Sequence, residues 1–259
     1  MAPKTSHRLA ETTKSAFRLL KPLCPRQQRM HSCVTGIVYK SSIVIPPFDP
    51  SCPSLPIFCP NAGWEWAYYN NSASNTAPGY PSFNPAALKT TVPIYTGTTR
   101  TIGLPIGSAE GGPAGPIYGS TVNLVKTQYA INHRAYLYAC ETGTYTIQLN
   151  DVDDALYTWI GPEATAFWNG TNREALVSYQ FNPPGRGNVF FNVYLLAKRY
   201  YPIRFVFAGA QSGGRFTYSI TAPSGRIVAG DQVENSAFTV RSSCDAQAPG
   251  FPFAFGQEL

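Results

Sequence analysis

"GTYTIQLNDVDDALYTWIG", residues 143–161, holds the reading on which the fold turns. Its first half alternates. Tyr145, Ile147 and Leu149 fall on one side of an extended chain, and Thr144, Thr146 and Gln148 fall on the other, which is the two-residue period of a half-buried strand. Its second half, "ALYTWI" (155–160), is apolar on both sides, as a strand covered by protein on both faces has to be. Between them stand Asp151, Asp153 and Asp154. The stretch therefore predicts two strands of different burial with three carboxylates crowded where they join.

Outward from it the strand signal repeats. "NVFFNVYLL" (188–196), "YPIRFVFAGA" (201–210) and "GRFTYSITAP" (214–223) are short, aromatic and β-branched, with Ile203, Phe205 and Phe207 on one side of the second. Turn signals such as "NPPGRGN" (182–188) and "QSGG" (211–214) separate them, the pattern of an antiparallel sandwich or barrel. With 22 Gly and 23 Pro spread through 259 residues, a helical bundle is excluded. No stretch approaches the roughly 20 apolar residues of a membrane helix.

Charge is unevenly placed. Residues 1–30 hold seven bases and one acid, which equals the net +6 of the whole chain, so the remainder balances at zero. The basic character thus belongs to the lead-in, and the folded part has no electrostatic footprint for nucleic acid. Residues 1–50, basic and then Pro-rich, read as a lead-in, 51–246 as the folded domain and 247–259 as a C-terminal tail without an apolar anchor. The apolar run "SAFRLL" (15–20) is short and split by Arg18, so it does not make a secretory signal. A transit peptide or a misassigned start accounts for the basic lead-in, and the latter suits a chain that otherwise reads as secreted.

Several chemistries drop out. The Gly/Pro-rich loop at 101–119 lacks the Gly-Lys-Ser/Thr ending of a phosphate cradle, and no Gly-x-Ser-x-Gly elbow is present. Of the three histidines, His133 reads as a half-buried polar strand residue, and His7 and His31 lie in the lead-in. The six cysteines (24, 33, 52, 59, 140 and 244) form no CxxC pair, so they suggest disulfides rather than thiolate metal sites; four in the domain allow three pairings. Asn-x-Ser/Thr triplets at Asn70 and Asn169 fit the same oxidising, glycosylating route.

That leaves the carboxylates. Hydrolysis of a glycoside needs two acids about 5–10 Å apart, for which Asp153 would need Glu163 or Glu174. Neighbouring acids in one turn serve better as oxygen ligands of a hard cation such as calcium, because like charges so close resist desolvation unless something positive lies among them. A solvated turn in which the aspartates cap their own backbone is the plainer alternative.

Three blocks carry a family resemblance. "CPNAGWEWAYYNN" (59–71), with Gly63-Trp64-Glu65-Trp66-Ala67 at its centre, resembles the segment that names the fungal GLEYA adhesin domain. Residues 132–164 resemble that domain's central block and 200–225 its closing one. The resemblance implies an all-β fold, an antiparallel β-sandwich of the protective-antigen type shared with yeast flocculins and epithelial adhesins. In those lectins two neighbouring aspartates joined by a cis peptide hold calcium, which binds vicinal hydroxyls of a terminal galactose or mannose. Asp153 and Asp154 match that pair and become the expected metal and sugar ligands. Gln211 is expected in the second loop and Trp168 as a stacking ring near the surface; Trp159 is expected in the core, and Trp64 and Trp66 are expected to seal the sandwich edge. Gly209 departs from the pattern, standing where GLEYA sequences commonly place Asn. The expected role is a secreted, wall-associated adhesin module, not an enzyme, with no nucleic-acid partner. A wall domain that has lost its calcium-sugar site is the alternative.

Overall fold

A computed structural model describes residues 59–104, 114–211, 214–231, 233 and 237–258. The lead-in and four of the cysteines and histidines named with it (Cys24, Cys33, His7, His31), together with Cys52, lie outside the described residues. The strands are β1 (Trp64–Asn70), β2 (Tyr95–Thr99), β3 (Tyr129–Ala139), β4 (Gly143–Asp153), β5 (Ala155–Ile160), β6 (Ala175–Ser178), β7 (Gln180–Phe181), β8 (Pro184–Gly185), β9 (Gly187–Leu195), β10 (Arg199–Gly209), β11 (Arg215–Thr221), β12 (Ile227–Gly230) and β13 (Thr239–Val240). Two 3-10 turns, Pro85–Lys89 and Pro162–Ala164, are the only helical pieces among the described residues.

The strands make an antiparallel sandwich. One sheet runs β2-β1-β3-β10-β5-β6, with β13 pairing β3 beyond the end of β1; the other runs β12-β11-β4-β9, and β7 and β8 form a small hairpin. Alternation explains the inner faces. Tyr145, Ile147 and Leu149 of β4 meet Ile203, Phe205 and Phe207 of β10 and Trp64, Trp66 and Tyr68 of β1 in one core. Trp64 stacks on Phe205 with centroids 5.6 Å apart and meets Tyr218 edge-on at 6.1 Å, arrangements that aromatic quadrupoles favour.

A second core lies outside the larger sheet, and it explains why "ALYTWI" is apolar on both sides. Ala155, Tyr157 and Trp159 of β5, with Val206 and Ala208 of β10, face outward under Tyr80, Phe83, Leu88 and Trp168 from the connecting segments. Every residue of β5 is buried. Trp159 is a core residue, as expected from a strand tryptophan, and its indole N–H donates to the Asn169 carbonyl and the Asn172 amide, both at 3.1 Å.

The motif tryptophans, expected at the sandwich edge, lie instead in the main core, because β2 and β3 flank β1 on both sides, and Gly63 in front of them is required by geometry. Its φ is +106°, and a Cβ there would stand 2.2 Å from the Thr99 carbonyl oxygen. Of the three pairings open to the sequence, the structure contains Cys59–Cys244, which ties strand β1's approach to the chain's distal end across 185 residues; Cys140 is also disulfide-bonded.

The segment expected to be a tail packs instead. Ala248 is buried, Phe251 lies 5.0 Å from the Tyr136 ring, and Glu258 is 3% exposed. Glu258 Oε1 pairs with Arg134 Nη1 at 2.8 Å and Arg204 Nη2 at 3.0 Å, while Oε2 accepts from Trp168 Nε1. Arg134 and Arg204 are directly opposite on β3 and β10, so two guanidinium groups would repel across the strand pair without that carboxylate. Glu65 completes the cluster through Arg134 Nε at 2.8 Å, which supplies the partner an acid between two indoles requires.

Candidate functional site

β4 belongs to the smaller sheet and β5 to the larger, so the Asp153–Asp154 peptide is where the chain crosses between layers, with one residue between the two strands. The aspartates stand there between fully buried neighbours, Val152 before them and Ala155 and Leu156 after them. The peptide is cis, as the resemblance implies.

The three acids fare differently. Asp151 Oδ2 lies 2.9 Å from Arg215 Nη2, and its N–H donates to Asn188 Oδ1 at 3.0 Å. Asp153, half-buried, has Oδ2 3.6 Å from Arg186 Nε. Sequence proximity gave neither acid a basic partner; Arg215 at the start of β11 and Arg186 between β8 and β9 come across from distant segments. Asp154 differs. It is 7% exposed and, among the described residues, no cation pairs with it. Its Oδ1 accepts from Asn75 Nδ2 at 2.9 Å and its Oδ2 from the Ala210 N–H. Burial pushes its carboxyl above the ordinary range, and those two hydrogen bonds pull the other way.

The connection after β1 supplies the surroundings. Asn71 Nδ2 donates to the Tyr80 hydroxyl at 2.9 Å and to the Gly209 carbonyl at 3.2 Å, which fastens this segment to the end of β10. Burial pushes the Tyr80 hydroxyl up to about 12. Gln211 clasps the Asn75 backbone, its Oε1 accepting from Asn75 N at 3.3 Å and its Nε2 donating to Asn75 O at 3.4 Å. Asn75 Oδ1, meanwhile, is a buried acceptor with no hydrogen-bond partner. Gly209 is explained by packing. A Cβ there would meet the Tyr129 ring at 2.9 Å, so an Asn side chain at this position would displace that ring. Ser212 and Gly213 of the second loop lie outside the described residues.

Of the expected site residues, Asp153, Asp154 and Gln211 come together and Trp168 does not. Trp168 is fully buried under Arg204, whose guanidinium sits 4.6 Å from the ring centre, so it cannot stack on a ligand. The error came from its setting in "AFWNG": the preceding Phe167 is exposed and Asn169 and Gly170 are partly so, but the indole is drawn in by Glu258. His133 is also more buried than expected. Its Nδ1 lies 3.2 Å from the Phe205 carbonyl and its Nε2 3.0 Å from the Tyr118 hydroxyl; burial lowers its pKa to about 3, so it stays neutral and structural. Asn75, Asn71, Arg186 and Arg215 escaped sequence reading. Nothing in "NNSASNTAPG" (70–79) distinguishes the asparagine that will reach an aspartate 79 residues on.

Could the acids hydrolyse a glycoside? A cleft of about 510 Å³ runs along the edge of β6, lined by Arg173, Glu174, Ser178, Gln180 and Asn188 among others. Glu174 is the one carboxylate lining it, so the paired acids that mechanism needs are not there. Glu163 is exposed on the 3-10 turn after β5.

Residues 129–222 match the family model of the GLEYA domain. Two fission-yeast (Schizosaccharomyces pombe) proteins named for cell agglutination are similar: pfl8 is 29% identical over 204 residues, covering 74% of this chain and 48% of its own length, and pfl4 is 26% identical over 179 residues, covering 65% and 27%. The chain thus spans about half or less of these curated relatives. Among solved structures, the A domain of Candida glabrata epithelial adhesin 6, determined with Galβ1-3GlcNAc, shares the fold at 16% identity and a TM-score of 0.51, over 78% of this chain and 97% of that one. Residues 129–222 are thus similar to the GLEYA domain, and the antiparallel sandwich to which they belong shares its fold with an epithelial adhesin A domain.

Proposed function

We propose that this sandwich is a carbohydrate-binding adhesin module that takes a terminal sugar at the Asp153–Asp154 turn with calcium bound there. One observation carries the reading: Asp154 is a buried carboxylate without a cationic partner among the described residues, held by Asn75, whose own Oδ1 is a buried acceptor lacking a donor. Both are hard oxygens, as are Asp153 and the loop carbonyls. Among the described residues no three His, Cys, Asp or Glu side chains gather, so a metal here would take amide and backbone oxygens alongside the two carboxylates, a set that suits calcium and not zinc. When bound, calcium would supply the positive charge that desolvated carboxylates lack and coordination positions for sugar hydroxyls. Asp153 and Asp154 would be the anionic ligands, and Gln211 and Asn71 would hold Asn75 and the end of β10 in position. The partners are glycans ending in galactose or mannose, displayed outside the cell or in the wall, consistent with relatives named for agglutination.

A second reading keeps the fold without the ligand. Arg186 and Arg215 already neutralise part of the turn, as a wall scaffold that has lost its site would need. Melting the full chain with millimolar calcium and with chelator separates the two. Calcium at a hundred times its dissociation constant adds about 2.7 kcal/mol, and Asp154→Asn abolishes the gain. Superimposable curves for the unmodified chain, together with an empty glycan array, select the scaffold.

A further inference from the structure

The two outer faces of the sandwich are treated differently. That of the larger sheet is buried under connecting segments, whereas that of the β12-β11-β4-β9 sheet faces solvent. Register arranges its side chains in rows: Phe190 beside Gln148 and Ser219; Asn192 beside Thr146, Thr221 and Ile227; Tyr194 beside Thr144. Phe190 is 65% exposed and Tyr194 68%. No acid or base stands in these rows, and apart from the two rings and Ile227 every side chain carries a hydroxyl or an amide.

We propose that this face is a second binding surface, separate from the Asp153–Asp154 turn and independent of metal, for a neutral and extended polysaccharide. Its lack of charge rules out a polyanion, since binding phosphate or sulfate needs bases. A second protein copy fits poorly, because a protein surface would have to re-pair each covered hydroxyl and amide or leave it desolvated. A glucan or chitin chain meets that condition. It is narrow, it presents hydroxyls that both donate and accept, and the C–H face of its rings suits an exposed aromatic. Phe190 and Tyr194, four residues apart on β9, are about 13 Å apart along the strand, so one chain could cross both rings.

The test is co-sedimentation of the full chain with particulate β-1,3-glucan and with chitin in the presence of chelator, which silences any calcium-dependent site. The unmodified chain and Asp154→Asn are expected to sediment alike with at least one of the two. The double variant Phe190→Ala/Tyr194→Ala should lose about tenfold in apparent affinity while its melting curve stays in place, because both rings are exposed; Phe190→Tyr/Tyr194→Phe should retain binding. The proposal is overturned by equal retention of the alanine variant, by failure of the unmodified chain to bind either polymer in chelator, or by sedimentation velocity showing that the alanine changes turn a dimer into a monomer. That last result assigns the face to a second copy. A calcium effect absent from the melting curves would sink the turn as a metal site and leave this surface untouched.

Discussion

A protein with only 13% charged residues concentrates buried charge in two places, and it completes one of them but not the other. On the outer side of β3 and β10, Arg134 and Arg204 are matched by Glu65 and Glu258, the spare donors go to Ala164, Asn132 and Phe253, and the Trp168 N–H takes the remaining carboxylate oxygen. At the sheet-to-sheet crossing, Asp154 has two hydrogen bonds and no cation among the described residues. Each charge in the first cluster has an opposite charge in contact, with Arg134, Arg204 and Glu258 desolvated and Glu65 partly exposed, which is the condition for a buried ion pair to hold. The second is left short by one positive charge. A closed cluster stabilises the fold; an open one costs it stability and offers a place for something to bind.

Neutralising an acid in each cluster should therefore act with opposite sign. Glu258→Gln leaves two guanidinium groups facing each other in a buried setting and is expected to cost about 3–5 kcal/mol by chemical denaturation. A loss below 1 kcal/mol would mean that the cluster is better hydrated than its burial indicates and would erase the contrast. Asp154→Asn, measured in chelator at neutral pH, should instead stabilise by on the order of 1 kcal/mol. The new amide can still accept from Ala210 N–H, and a turned Asn75 can offer its orphaned oxygen to the new N–H.

The pH dependence sharpens this. Because burial raises the folded-state pKa of Asp154 above its unfolded value, the ionised form costs stability at pH above the folded pKa. As pH falls through that value towards the ordinary carboxylate range, the cost disappears and the two melting midpoints should converge. A gap that widens on acidification would show that the carboxylate is stabilised in the folded chain. The smallest effect is expected at Asp151→Asn, whose pair with Arg215 is partly exposed on the acid side; it should shift stability by less than ~1 kcal/mol and shrink further in high salt.

The contrast also marks how far sequence reading reaches. Period-two alternation in 144–149 and the two-sided apolar run of 155–160 are local consequences of strand geometry, so both were legible and both hold. The aspartate couple was legible for a different reason, since three acids in four residues stand out in a charge-poor chain. Its partners were not legible. Asn75, through which the expected Gln211 reaches the site, lies 79 residues from Asp154, and Glu258 lies 124 residues from Arg134 in a segment that looked like a tail. Trp168 was misplaced because exposure is a property of what covers a side chain, not of its neighbours in sequence.

By itself, the sequence determined the class of fold, the strands and the position where carboxylates collect, because each follows from the spacing of side chains along an extended backbone. Only the tertiary structure decided which charges are closed and which stay open. That outcome depends on which distant segments the two sheets bring within hydrogen-bonding reach, and on how far water is kept from them once they meet.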